Sequence, residues 1–330
     1  MARKIAHCAA RSRKGGVMAA RYMFGFHDQP MEISNERFEI TGAQAFDRSV
    51  EKVRTAKSAG ERWFHPPLAY STTEKIEVPA ALYRLPSTHV LVTWERSLDQ
   101  AFGEFLVLVL GFLKGQRFTI EGIGHLRPTP WKSGELVSFI PADAEILACL
   151  DRAAEFWDAH DEETRKLMFG AIHWFLVAQS YDHQYERFAW AYTVLDNLHA
   201  IALKTTPDYA ASFRGQRGGH GHRPLALSDV FGSPLPEAFS DPGREKPNAA
   251  SLVNARNELV HEARWAGEPL GYAVSDEADG LINELEFFCS QNILALLGVP
   301  CRFRGASYSR SRQCLDVLET RDDGEIPAEG

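Results

Sequence analysis

Apolar positions follow two periods along this chain, and the change comes near Pro141. Before it, strand-length runs rich in branched and aromatic residues alternate with turn residues: RYMFGFH (21–27), RFEITG (37–42), EKIEVPA (74–80), THVLVTW (88–94), RFTIEGIG (117–124) and ELVSFI (135–140). One helix interrupts them over 97–115, with Ser97 as N-cap and Gly115 as its stop. Its apolar run, FGEFLVLVLGFLKG, reads as a buried core helix. After Pro141 the period becomes helical. Ile146, Leu147, Leu150, Ala154 and Trp157 recur at steps of three and four, and so do Phe188, Tyr192, Leu195, Leu198 and Leu203. Between these two stretches, Asp161 and the glutamates after it mark a helix start at 161. From Thr205 to Pro247 glycine, proline, serine and arginine dominate and predict a long irregular excursion. Helical pattern returns over 249–265 and over 275–298, the latter capped by Ser275 and ended by Gly298. The expected architecture is an α+β N-terminal domain followed by an all-α antiparallel helical bundle. Its divisions are a basic, disordered arm over 1–22, an α+β domain of unknown role over 23–141, and the bundle over 142–300 with an insertion at about 205–247. A C-terminal extension with an acidic tail follows over 301–330.

Composition narrows the function only a little. A chain of 330 residues, 45% hydrophobic, can bury one large core or two ordinary ones. A net charge of -8 excludes a protein that coats nucleic acid by bulk charge, so any such contact must be a local patch. Five cysteines without zinc spacing fit a reduced cytoplasmic interior, and no metal or other cofactor is expected. No apolar run approaches the roughly 18 residues of a membrane span, so no membrane partner is expected. The first 21 residues carry six basic residues and no acid, which reads as a solvated arm; Met18 or Met23 is an alternative first residue.

The candidate chemistry lies in NARNELVHEARWAG, 254–267. On a helix Asn257 and His261 share a face, and Arg256 sits about 140° round from His261, within reach of its long side chain. The three supply a titratable imidazole, a neutral amide and a permanent cation, which suits phosphoryl transfer. Glu258 and His261 also spell Glu-x-x-His, but a di-iron bundle needs a second such pair and the chain has none. The HGH of His220 to His222 reads as a mobile loop or a metal ligand pair. Arg214, Arg217 and Arg223 around it are candidate contacts to an RNA backbone, against the plainer reading of a solvated linker.

RNELVH, Arg256 to His261, resembles the RxxxxH signature of the HEPN superfamily of helical bundles, in particular its Apea-like group. The upstream YERFAWAYTVLDNLHAI looks like that family's first core helix, with Glu186 and Asp196 as candidate supporting acids. The resemblance covers about 171–298. It implies a metal-independent endoribonuclease of phage defence or toxin type, in which the RNA's own 2′-hydroxyl attacks the adjacent phosphate. His261 would serve as general base or acid, Arg256 would stabilise the phosphorane, and Asn257 would orient the histidine or the phosphate. It also implies a homodimer through the helical half. The N-terminal domain would sense an unidentified trigger or restrain the enzyme. The alternative is a non-catalytic HEPN interaction or RNA-binding module.

Overall fold

The computed structural model describes residues 12–14, 17–94, 100–121, 123–213, 219–243, 248–271, 276–305 and 312–317. It is a mixed α/β protein. A six-stranded antiparallel sheet runs in the order Ser12–Lys14, Val17–Gly25, His89–Trp94, Phe38–Gly42, Ile33–Ser34, with Thr119–Ile120 pairing the end of the second strand. The sheet therefore enters the stretch read as a disordered arm. Residues 12–14 and 17–22 are strand, and only 1–11, 15 and 16 lie outside the described residues. The reason is register: Ala19 pairs Trp94 and Tyr22 pairs Leu91, so alternate residues of this segment face an apolar helix.

The helices in chain order are α1 (Phe46–Arg54), α2 (Gln100–Lys114), α3 (Asp143–Ala159), α4 (Glu162–Ala178), α5 (Gln184–Thr205), α6 (Pro207–Ser212), α7 (His222–Phe231), α8 (Ala250–Glu262) and α9 (Asp276–Leu296). Helix α2 is apolar on every side because every side is covered. One face touches the sheet so closely that a Cβ on Gly103 would fall 2.5 Å from the Tyr22 ring. The other meets the helical half, with Phe105 5.0 Å from Trp157 and Phe112 5.4 Å from Phe175, ring centre to ring centre. One apolar core thus runs continuously across Pro141. Gly115, at φ +60, ends α2 as expected. The expected caps Ser97 and Ser275 lie outside the described residues. Asp161 caps α4 by accepting the Thr164 amide at 2.8 Å.

Two stretches for which no regular element was expected contain helices or strands. In the excursion over 205–247, Pro207 and Pro224 both sit in the first turn of a helix, α6 and α7, where a missing N–H is no loss. Residues that read as breakers are helix starters here. Tyr209, fully buried, gathers Phe213, Phe231 and His199 around it, which gives the excursion a small core of its own. In the C-terminal extension, Arg312–Val317 lies between Cys301–Gly305, antiparallel, and Ser138–Ile140, parallel. The chain's end is thereby stitched to the junction at Pro141; the acidic tail lies outside the described residues. No helix of the described residues is long and apolar enough to cross a membrane.

The sheet half buries three histidines completely, His27, His89 and His125. His89 bonds Thr88 Oγ1 at 2.9 Å between Phe24 and Phe46; His125 lies against Tyr83 with both ring nitrogens unpartnered. Burial, with the His27 charge behind it, lowers His89 to about 3; burial and the Arg117 charge lower His125 to about 3. The unfolded chain takes up these protons below its ordinary value of 6.5 while the folded one refuses them until about 3. Stability is therefore full above pH 6.5 and is lost as the pH falls towards 3. Each histidine contributes at most about 1.4 kcal/mol per pH unit to that loss. Urea unfolding at stepped pH is expected to show this slope, and His125→Phe, which keeps the ring contact, to remove its share. An unchanged slope in the variant would show that His125 does not contribute.

Candidate functional site

Helix α8 is held at both ends and barely buried between them, with Leu252 its one fully buried side chain. At its start Asn248 Oδ1 accepts the amides of Asp241 at 2.9 Å and Ala250 at 3.0 Å, and Ser251 Oγ donates to the Ser240 carbonyl at 2.9 Å. At its end Ala263 takes the left-handed conformation, φ 53, and its amide closes onto the Glu258 carbonyl. A hairpin follows, Arg264–Trp265 against Glu268–Pro269, turning over Ala266 and Gly267 at φ 51 and 82. Trp265 pins this hairpin to α5: its ring lies 4.8 Å from Phe188, and its indole N–H donates to Gln184 Oε1 at 3.3 Å. Glu258 Oε1 accepts the Gly267 amide at 2.8 Å. That glutamate closes the hairpin, which gives the Glu-x-x-His pattern a structural occupation.

Within this frame the predicted trio comes together. Arg256 Nη1 donates to His261 Nε2 at 3.0 Å and to Asn257 Oδ1 at 3.1 Å. Arg256 and Asn257 are half-buried and His261 is exposed. An acceptor role for Nε2 requires the imidazole to be neutral in this arrangement, with its proton on Nδ1.

The excursion supplies the rest of the patch. Gly221 packs on α8, where a Cβ would sit 3.5 Å from Val253, one turn ahead of Asn257. His220 beside it bonds the Tyr192 hydroxyl through Nδ1 at 3.0 Å and lies 3.9 Å from the Asp196 carboxylate. Arg223 Nη1 donates to Asp196 Oδ1 at 2.5 Å. Burial lowers His220 from its ordinary 6.5; the Arg223 and Arg256 charges lower it further, Asp196 opposes them, and His261 adds to the lowering. Burial and Asp196 push the Tyr192 phenol upward against the two arginines, so it stays protonated. Three elements therefore converge: α8 with Arg256, Asn257 and His261; α5 with Tyr192 and Asp196; and the start of α7 with His220 and Arg223. The start of α7 adds the partial positive charge of a helix N-terminus.

The other predicted residues divide. Asp196 belongs to the patch. Glu186 does not, since ten residues of helix place it about 15 Å away along α5. Arg223 is tied to Asp196 rather than reaching outward. Arg214 and Arg217 lie outside the described residues. The two histidines of HGH part company: His220 joins the patch, while His222 turns edge-on to Phe213, 4.8 Å away, in the aromatic core of the excursion. Among the described residues no group of three or more His, Cys, Asp or Glu could hold a metal. His220 and Tyr192 were missed as site residues. A proline two residues after HGH, in the first turn of a helix, was the available signal that this loop is held.

The end of α8 carries a strain that can be tested. Ala263 occupies a backbone region that costs a non-glycine residue about 1 kcal/mol. Ala263→Gly is expected to raise stability by about that amount in urea unfolding. A loss of stability would show that Ala263 is not in the left-handed conformation.

No family model, curated protein or solved structure matches this chain.

Proposed function

We propose that the protein is a metal-independent endoribonuclease of HEPN type, with Arg256, Asn257 and His261 at its centre. The observation that carries the reading is the contact of Arg256 with both Asn257 and His261 on an exposed helix face, in the residue order of RNELVH. Phosphoryl transfer needs a proton carrier that works near neutral pH and a fixed cation at the developing charge. The patch offers both, with a second arginine and a helix N-terminus near them. The attacking group is the substrate's own 2′-hydroxyl, so RNA is the substrate and DNA is not. Arg256 is held by its contact to His261 in the resting protein and turns to the phosphate when RNA binds. Pairing of two chains through the helical half belongs to the same proposal. Val260 is 58% exposed on α8 and offers an apolar contact there. The sheet half is proposed to receive the trigger.

Purified protein is expected to cleave a mixed RNA pool in EDTA and to leave 2′,3′-cyclic phosphate and 5′-hydroxyl ends. Arg256→Ala and His261→Ala are expected to abolish cleavage while the fold survives, because polar changes on an exposed helix face alter stability by about 0.5 kcal/mol or less. Asn257→Ala is expected to weaken activity less, since it transfers no proton. Strict magnesium dependence, equal cleavage of DNA or full activity in His261→Ala would refute the mechanism. RNA binding without cleavage would favour the non-catalytic RNA-binding reading.

A further inference from the structure

The geometry points to His220 as a second proton-transferring residue of the same site, acting as the general base that takes the proton from the RNA 2′-hydroxyl. This rests on the ribonuclease reading and completes it. Transesterification moves two protons. The 2′-oxygen loses one as it bonds to phosphorus, and the 5′-oxygen gains one as its bond to phosphorus breaks. Arg256 transfers no proton and Asn257 cannot, and Glu258 and Glu262 of α8 are tied to the Gly267 amide and to Arg264, so the trio offers one carrier, His261, for two transfers. A second carrier must come from a partner chain or from elsewhere in the same chain.

His220 meets the requirement within one chain. It is held from three sides. The Tyr192 hydroxyl fixes Nδ1 at 3.0 Å, the Asp196 carboxylate stands 3.9 Å from the same nitrogen, and the adjacent Gly221 seats the loop on Val253 of α8. With Nδ1 engaged, Nε2 is the nitrogen left for a substrate, and no hydrogen bond or ion pair of the described residues occupies it. Tyr192 and Asp196 on α5 contact the ring, and the charges of Arg223 on α7 and of Arg256 and His261 on α8 act on it. Burial and the cations among them keep the ring neutral near pH 7, the form a base requires. Tyr192 stays protonated and orients it, as a third group orients the base in other acid–base sites. His261, released when Arg256 turns to the phosphate, takes up a proton from solvent on the freed Nε2 and gives it to the departing 5′-oxygen. The protons balance: His220 gains one, His261 loses one, and solvent resets both.

The test uses the full chain, a fluorogenic RNA and His220→Ala beside His261→Ala, with thermal melts as the control for folding. His220→Ala is expected to lose about 100-fold or more in kcat with KM changed about threefold at most, the signature of a lost general base rather than a lost binding contact. Wild-type cleavage is expected to fall as the pH drops below 6.5 through the titration of His220, and His220→Ala to lack that limb. Imidazole added to the buffer is expected to restore part of the rate to His220→Ala, which a purely structural defect would not permit. A folded His220→Ala with wild-type kcat and an unchanged acid limb, beside an inactive His261→Ala, would overturn the role of His220 and leave the ribonuclease reading standing. Absence of any RNA cleavage by the wild-type chain would overturn both.

Discussion

The arrangement depends on a buried ion pair. Arg187 on α5 grips Glu286 on α9 through Nε at 2.6 Å and Nη2 at 2.5 Å, and the same Nη2 donates to Asn283 at 3.1 Å. Glu286 is 1% exposed. Removing one partner of such a pair strands a charge in the interior, a penalty of about 3–5 kcal/mol. The pair fixes the rotation of α5 about its own axis, and α5 carries the site. Gln184 and Phe188 on one side receive Trp265 and so set the end of α8. Tyr192 and Asp196, one and two turns further on, receive His220 and Arg223. If α5 turned, both contacts to the patch would be lost together.

The patch is consequently a place where separate segments are brought to one helix. Its electrostatics follow from that. Two arginines and up to two imidazoles share a small surface on a chain of net charge -8, and one carboxylate, Asp196, is set among them. Asp196 orders Arg223 and stands beside His220, and among the described residues Arg256 is engaged with Asn257 and His261 and with no carboxylate. A phosphate entering the patch would meet a cation whose existing contacts are weaker than an ion pair. The surplus of positive charge is local, as the net acidity of the whole requires of any nucleic-acid contact.

The sheet half is fastened to the helical half by covered surface rather than by a linker. Helix α2 touches both, and Arg312–Val317 returns to pair with Ser138–Ile140. Helix α2 is thus the contact shared by the sheet and by α3 and α4, which pack on it.

Periodicity determined most of the secondary structure. The helices at 143–159, 162–178, 184–205 and 276–296 and the main strands were legible because burial imprints its period on the sequence, and 250–262, little buried, by its unbroken helical run. The RNELVH trio was legible for the same reason, since its members lie within two turns of one helix. Tertiary structure decided what local pattern does not record. The segment 17–22 and the strand at 312–317 are ordered by partners far along the chain, and 12–14 folds back on 17–19. The described residues of 205–247 fold because Tyr209 finds Phe213, Phe231 and His199, while the glycines and prolines of this stretch carry no period. His220 reaches Tyr192 across 28 residues, a proximity that only the packing of α7 and α8 against α5 creates.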